Sequence, residues 1–278
     1  DTRLWRDVIL LNQFHDILPG SSIAEVYDVT KQEYAALEQE VSGLIQARLE
    51  ALAGAGDGVT VFNTLGFARS DVVHLGQLSA QALEGGAGHL LHRQLVQQTA
   101  AGAVAYLENL PAKGYVTLRR AEGSEPSPFL RRDDFHLETP YYSVTLDSKG
   151  RFASLFDKEH DRELMKPGTL GNLLRVYEDK PIYYDNWDID RYYTEKHYDV
   201  EDLHSLAWTE DGPVQTTLEL CYGFCGCTLR QRIHFYANTR RIDFETVVDW
   251  KLHQHLLKAE FPLDIHTDEA TFDVQFGN

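Results

Sequence analysis

Cysteine is scarce: three residues in 278, all inside CYGFCGC at 221–227, an odd and small number that excludes the disulfide framework of a small secreted domain. Cys221, Cys225 and Cys227 are spaced C-x3-C-x-C with no second pair to complete a structural metal site, so they read as small apolar fillers and reduced thiols. Basic charge is also short, 26 lysines and arginines against 43 acidic residues. At a formal charge of −17 the surface repels a phosphate backbone, which argues against DNA or RNA as partners. No apolar run approaches the ~18 residues of a membrane span, so no membrane association is expected. The opening DTRLWRDVILL has no basic region leading to a small-residue cleavage site, so no secretory leader is visible. These exclusions leave a soluble chain long enough for one large or two ordinary domains of about 100–200 residues each.

The first 52 residues have a helical period. Leu4, Val8, Leu11 and Phe14 recur at three and four, the spacing of one helix face. Leu18-Pro19-Gly20 interrupts it, because proline restricts its predecessor and glycine permits positive φ. Ser22 followed by Glu25 is a capping-box pattern that predicts the start of a second helix, whose stripe runs through Ile23, Val26, Tyr34, Leu37, Val41, Leu44 and Leu52. Such a helix is on the order of 45 Å long, too long to bury its stripe against the first alone. Ala53-Gly54-Ala55-Gly56-Asp57-Gly58 is a small-residue linker and sets the expected domain boundary.

After it the composition turns β-rich, with strands expected at 59–62, 71–75, 114–118, 141–146, 216–221, 228–236, 242–250 and 270–276. Ile242, Phe244, Thr246, Val248 and Trp250 recur at every second position, the period of a half-buried antiparallel strand. The stretches around Leu83 to Leu91 and from Ala121 to Pro128 read as loops. The fold class is α+β: a short helical-bundle segment, residues 1–56, followed by a large antiparallel β-sandwich, residues 57–278.

Few residues point to chemistry by type alone. His15 and Asp16 are expected where a helix ends before a tight turn, where an imidazole can bind a metal and a carboxylate can orient it or hold a sugar hydroxyl; such a pair also serves as an ordinary surface pair. In YYDNWDID at 183–190, Trp187 can stack on a pyranose and Asp188 can accept a hydroxyl proton, or Trp187 simply packs a turn between solvated carboxylates. His253 and His255 alternate without a third ligand at a useful spacing, and the charged run 157–162 reads as a solvated turn.

NQFHDILPGSS at 12–22, FNTLGFARSDVV at 62–73, LDSKGRFASLFDKEHDRELM at 146–165, YYDNWDID, and TVVDWKLHQHLLKAEFPLDI at 246–265 resemble the class II α-mannosidases, family 38 of the glycoside hydrolases, in the family's order and over nearly the whole chain. The resemblance implies a zinc-dependent retaining hydrolase of terminal α-linked mannose on mannosyl oligosaccharides. It implies His15 as a zinc ligand and Asp16 beside the substrate or metal; the sugar subsite at Trp187 and Asp188 rests on their residue types alone. Many members have a second histidine where this chain has Phe14, which leaves any role for a histidine pair without support. In that family an N-terminal α/β barrel of the same polypeptide supplies the nucleophile, the acid/base and three of the four protein zinc ligands, one being the nucleophile. None of those segments is matched here, so these residues alone are expected to be inactive and to expose an apolar helical surface where the barrel would dock. The resemblance is nearest to the cytosolic and bacterial branch, so a cytoplasmic location is expected. Self-association into a homo-oligomer stays open. The rival reading is a non-catalytic carbohydrate-binding or structural β-sandwich module, and a related family acting on another sugar is a third.

Overall fold

The computed structural model describes residues 2–85, 94–123, 127–131, 133–185 and 187–272. Helix α1 spans Thr2–Asn12 and helix α2 spans Ala24–Ala53, whose 30 residues give a rod of about 45 Å. Gly54, at φ 72°, closes α2 by donating its N–H to Glu50 O. The capping box does not form. Ser22 Oγ instead bonds Asp16 O at 2.9 Å, and Ile23 occupies the N-cap without a side-chain bond. α1 also ends before Phe14, so His15 and Asp16 lie in the turns that follow it.

Strands β1 (Val59–Asn63), β2 (Arg69–His74), β3 (Ala82–Glu84), β4 (Gln94–Thr99), β5 (Gly102–Leu110) and β6 (Gly114–Ala121) form one antiparallel sheet in the order β1-β6-β3-β4-β5-β2. Its core contains Val61, Leu83, Ala105, Leu107 and Leu118. Leu83, expected in a loop, is therefore a fully buried strand residue; 86–93 of that expected loop lie outside the described residues. Of the other expected loop, Ala121 ends β6, and 124–126 lie outside the described residues.

A five-stranded sheet follows: β7 (Leu130–Arg131), β8 (His136–Glu138), β9 (Tyr142–Leu146), β10 (Phe152–Asp157) and β11 (Arg162–Glu163). β12 (Leu173–Glu178) pairs with β13 (His197–Asp199) and β18 (His255–Glu260). Between β13 and β18, strands β14 (Asp202–Asp211), β15 (Gln215–Phe224), β16 (Cys227–Tyr236) and β17 (Ile242–Asp249) form a four-stranded meander. These sheets share one hydrophobic core that includes Val144, Phe152, Val176, Leu218, Leu220, Leu229, Ile233 and Phe235. Each such side chain contributes roughly 1.5–3 kcal/mol by leaving water. The alternation along β17 holds for Ile242, Phe244 and Val248, which pack on this core while Glu245 and Val247 are exposed, but Thr246 of the expected inward set is exposed as well. Of the expected strand at 270–276, residues 270–272 are not in a strand and 273–276 lie outside the described residues.

β15 and β16 turn through Cys225 (φ 47°) and Gly226 (φ 80°), a two-residue hairpin whose positive φ values match the right-handed strand twist. All three thiols are free, with Cys227 buried and Cys225 exposed. The charged run at 157–162 is not simply solvated: Asp157 is buried and accepts bonds from the backbone N–H of Glu159, the His160 ring and the Arg240 guanidinium. His255 Nδ1 donates to His253 O at 2.6 Å.

Candidate active-site face

The turn that presents His15 is pinned from three sides. Asn12, buried at the end of α1, bonds Val8 O, Glu33 Oε2 at 3.0 Å and Thr30 Oγ1 at 2.6 Å, so the helix end is locked to α2. Tyr27, also on α2, donates its hydroxyl toward Asp16 O and Ile17 O at 3.3 Å and accepts from Ser22 N at 3.0 Å. Gly20, at φ 83°, supplies the left-handed residue that folds the turn back. The result is a rigid backbone under two exposed side chains. His15 Nε2 stands 3.7 Å from Asp16 Oδ2, a loose pair beyond hydrogen-bond range.

The opposite side comes from the segment after β12. Tyr184 adopts φ 57° and its carbonyl accepts from Trp187 N at 2.7 Å and Asp188 N at 2.8 Å, which curls the chain and lifts the indole outward. Asp190 caps a short 3-10 helix, Arg191–Glu195, by accepting from Tyr192 N. Lys258 of β18 bonds Tyr193 and lies 4.3 Å over its ring, while Tyr177 of β12 meets Tyr193 edge-on at 5.2 Å. Two strands thus hold a loop whose tip is aromatic: Tyr183, Tyr184, Trp187 and Tyr192 are all at least half exposed.

The two segments meet. The His15 and Trp187 rings are 6.2 Å apart with a 55° tilt, and Phe14 lies 4.2 Å from His15. The structure therefore brings two sequence-nominated residues, remote in the chain, to one face. Asp188 is exposed on the same loop, and no bond joins its carboxylate to His15 or Asp16. Sequence reasoning missed the supports, Asn12, Tyr27, Thr30 and Lys258. Tyr27 and Thr30 interrupt the apolar stripe of α2 with hydroxyls one turn apart, which is the one local signal they give.

Zinc takes about four nitrogen, oxygen or sulfur ligands. His15 fits as one of them, because the ring is exposed and no hydrogen bond engages either nitrogen among the described residues. Among those residues no group of three or more histidine, cysteine, aspartate or glutamate side chains stands close enough to hold a metal.

Residues 2–52 match the model of the alpha mannosidase middle domain, and residues 137–278 match that of the glycosyl hydrolases family 38 C-terminal domain. The chain is similar to alpha-mannosidase G of Dictyostelium discoideum, 24% identical over all of this chain and 29% of that protein. It is 28% identical to human alpha-mannosidase 2C1 over 99% of this chain and 26% of the relative, and 23% identical to alpha-mannosidase of Saccharomyces cerevisiae over 99% and 23%. The chain thus spans about a quarter of the length of these curated relatives.

Proposed function

This chain belongs to glycosyl hydrolase family 38, and from that premise we propose that it is the part of a zinc-dependent retaining α-mannosidase that brings one metal-ligand histidine and a sugar-stacking loop to the active site. The substrate is a terminal α-linked mannose of a mannosyl oligosaccharide. One observation supports this above the others: the exposed His15 ring stands 6.2 Å from the Trp187 ring. A pyranose stacked on the indole would hold its hydroxyls beside the imidazole.

In this reading His15 donates one ring nitrogen to zinc, Asp16 accepts a sugar hydroxyl or orients the imidazole, and Asp188 accepts a hydroxyl at the loop. Zinc, when bound, supplies Lewis-acid polarisation of sugar hydroxyls and favours a distorted ring. Retention needs two carboxyl groups about 5 Å apart across the scissile bond, and we assign both to an α/β barrel of the same polypeptide. Leu10, Leu11, Leu18 and Ile23, each more than half exposed, suit the docking of such a barrel. The location proposed is cytoplasmic. No helix among the described residues is long and apolar enough to cross a membrane.

The test uses the intact protein. His15→Ala is expected to lower bound zinc well below one per chain, measured by elemental analysis after dialysis. Trp187→Ala is expected to keep the metal but lower kcat/KM for an aryl α-mannoside about ten-fold, mainly through KM. Full zinc occupancy in His15→Ala would sink the assignment.

A further inference from the structure

The meander β14–β17 turns one face to the core and the other outward, and the outward face is not the solvated surface that an antiparallel sheet usually presents. Gln215 and Thr217 of β15 are 2% and 0% exposed, Glu210 of β14 is 7% and His234 of β16 is 9%. The turn between β4 and β5 covers them. Gln97 of β4 holds that cover down: its Oε1 accepts from Val214 N and Gln215 N, and its Nε2 donates to Gln215 O. Between the cover and the sheet lies a hollow of about 570 Å³, inside the ~300–1,000 Å³ range of small-molecule sites. A second hollow of about 530 Å³ shares Ala101, Glu210, Arg232 and Glu245 with it and extends toward Val247.

Counting protons defines what the hollow can bind. Glu210 Oε1 accepts from Arg232 Nη2 at 3.0 Å, and Oε2 accepts from Gln215 Nε2 at 2.6 Å and Thr217 Oγ1 at 2.5 Å. Thr217 has one hydroxyl proton, spent on Glu210, so its contact with His234 Nδ1 at 2.8 Å must be a bond donated by the ring. The Nε2 lone pair is then free to accept, and it faces Glu245 Oε2, another acceptor, at 3.6 Å. Gln215 Oε1 is buried with no partner among the described residues, and so is one donor, Arg232 Nε. His234 Nε2 and Glu245 Oε2 therefore face the hollow as acceptors, backed by the unsatisfied Gln215 Oε1 and Arg232 Nε behind them.

An acceptor-rich wall rejects phosphate and carboxylate ligands, which bring only acceptors. Glu210 and Glu245 share Arg232 and Asp243 pairs with Arg241, so the wall keeps a small net negative charge that further opposes anions, while the Arg232 guanidinium beside it opposes a compact cation. Burial, with the neighbouring Arg232 guanidinium, pushes the His234 pKa below its usual value, which agrees with a neutral ring. A ligand of several hydroxyls, each able to donate once and accept, satisfies the set.

We propose that this hollow, walled by Glu210, Gln215, Arg232, His234 and Glu245 beneath the β4–β5 turn, binds a neutral pyranose or the end of an oligosaccharide. It is built from elements other than those that carry His15 and Trp187, and it does not rest on the reading of those residues.

Isothermal titration of the intact protein in a His15→Ala background tests it with methyl α-mannoside, methyl α-glucoside and methyl α-galactoside, and with inorganic phosphate as the anionic probe. At least one glycoside should bind once per chain and phosphate should not. Gln215→Met and Glu245→Ala should each weaken the glycoside about ten-fold or more. Glu245 is an exposed rim residue, so its variant decides the matter if Gln215→Met fails to fold. No glycoside binding, binding unchanged by Glu245→Ala, or a preference for phosphate would each overturn the proposal.

Discussion

Glu178 accepts hydrogen bonds from Lys196 and from Lys180 at 3.1 Å, and the two ammonium groups hold its carboxyl at about 2 rather than the usual 4.5. A carboxylate depressed in the folded state stabilises the fold above its unfolded pKa and loses that contribution as pH falls through the folded value. The stability difference between the protein and Glu178→Gln should therefore be full at pH 6 and shrink between about 4.5 and about 2, followed by urea midpoints across that range. The backbone N–H of Glu178 also bonds Lys196 O, so this pair steadies the strand next to the Trp187 loop. At this scale the sequence was readable only through resemblance. A histidine beside an aspartate is common, and the support from Asn12, Thr30 and Glu33 depends on how two helices cross, which no local spacing encodes.

Among the elements, Gly226 is the residue that the β15–β16 hairpin most needs. Its φ is 80° and a methyl added there would meet nothing within 4 Å, so Gly226→Ala should cost about 1–2 kcal/mol from backbone conformation alone. Cys225→Asn at the preceding turn position should be neutral or slightly stabilising, since asparagine tolerates positive φ; urea denaturation checks both. Gln97→Ala strands two buried backbone donors and one acceptor where the two sheets meet, and should cost about 2–3 kcal/mol and raise hydrogen exchange at Val214 and Gln215. Strands with alternating β-branched or aromatic residues, such as β16 and β17, were legible. β14 was not, because register shifts at Leu203/Ser205 and Trp208/Glu210 break its period. β4 was hidden by its glutamines, two of which hold neighbouring backbone and so sit where an apolar pattern would not place them.

For the whole molecule, the helices and the sandwich differ in how they are finished. α2 has no buried residue and its apolar positions remain open to solvent, whereas the sandwich closes on a continuous core. The stripe in the sequence foretold the length of α2 and that its 30 residues cannot be covered by an 11-residue neighbour alone. The meeting of Phe14, His15 and Trp187 was not foretold, since it depends on how the helical segment sits against the loop after β12. That juxtaposition is the centre of the functional account. The measurement that tests it most directly is hydrolysis of an aryl α-mannoside by the intact protein, with and without a chelator, beside His15→Ala. The account predicts turnover that the chelator abolishes, zinc restores, and His15→Ala lowers about 100-fold or more. Chelator-resistant turnover, or full activity in His15→Ala, would contradict it.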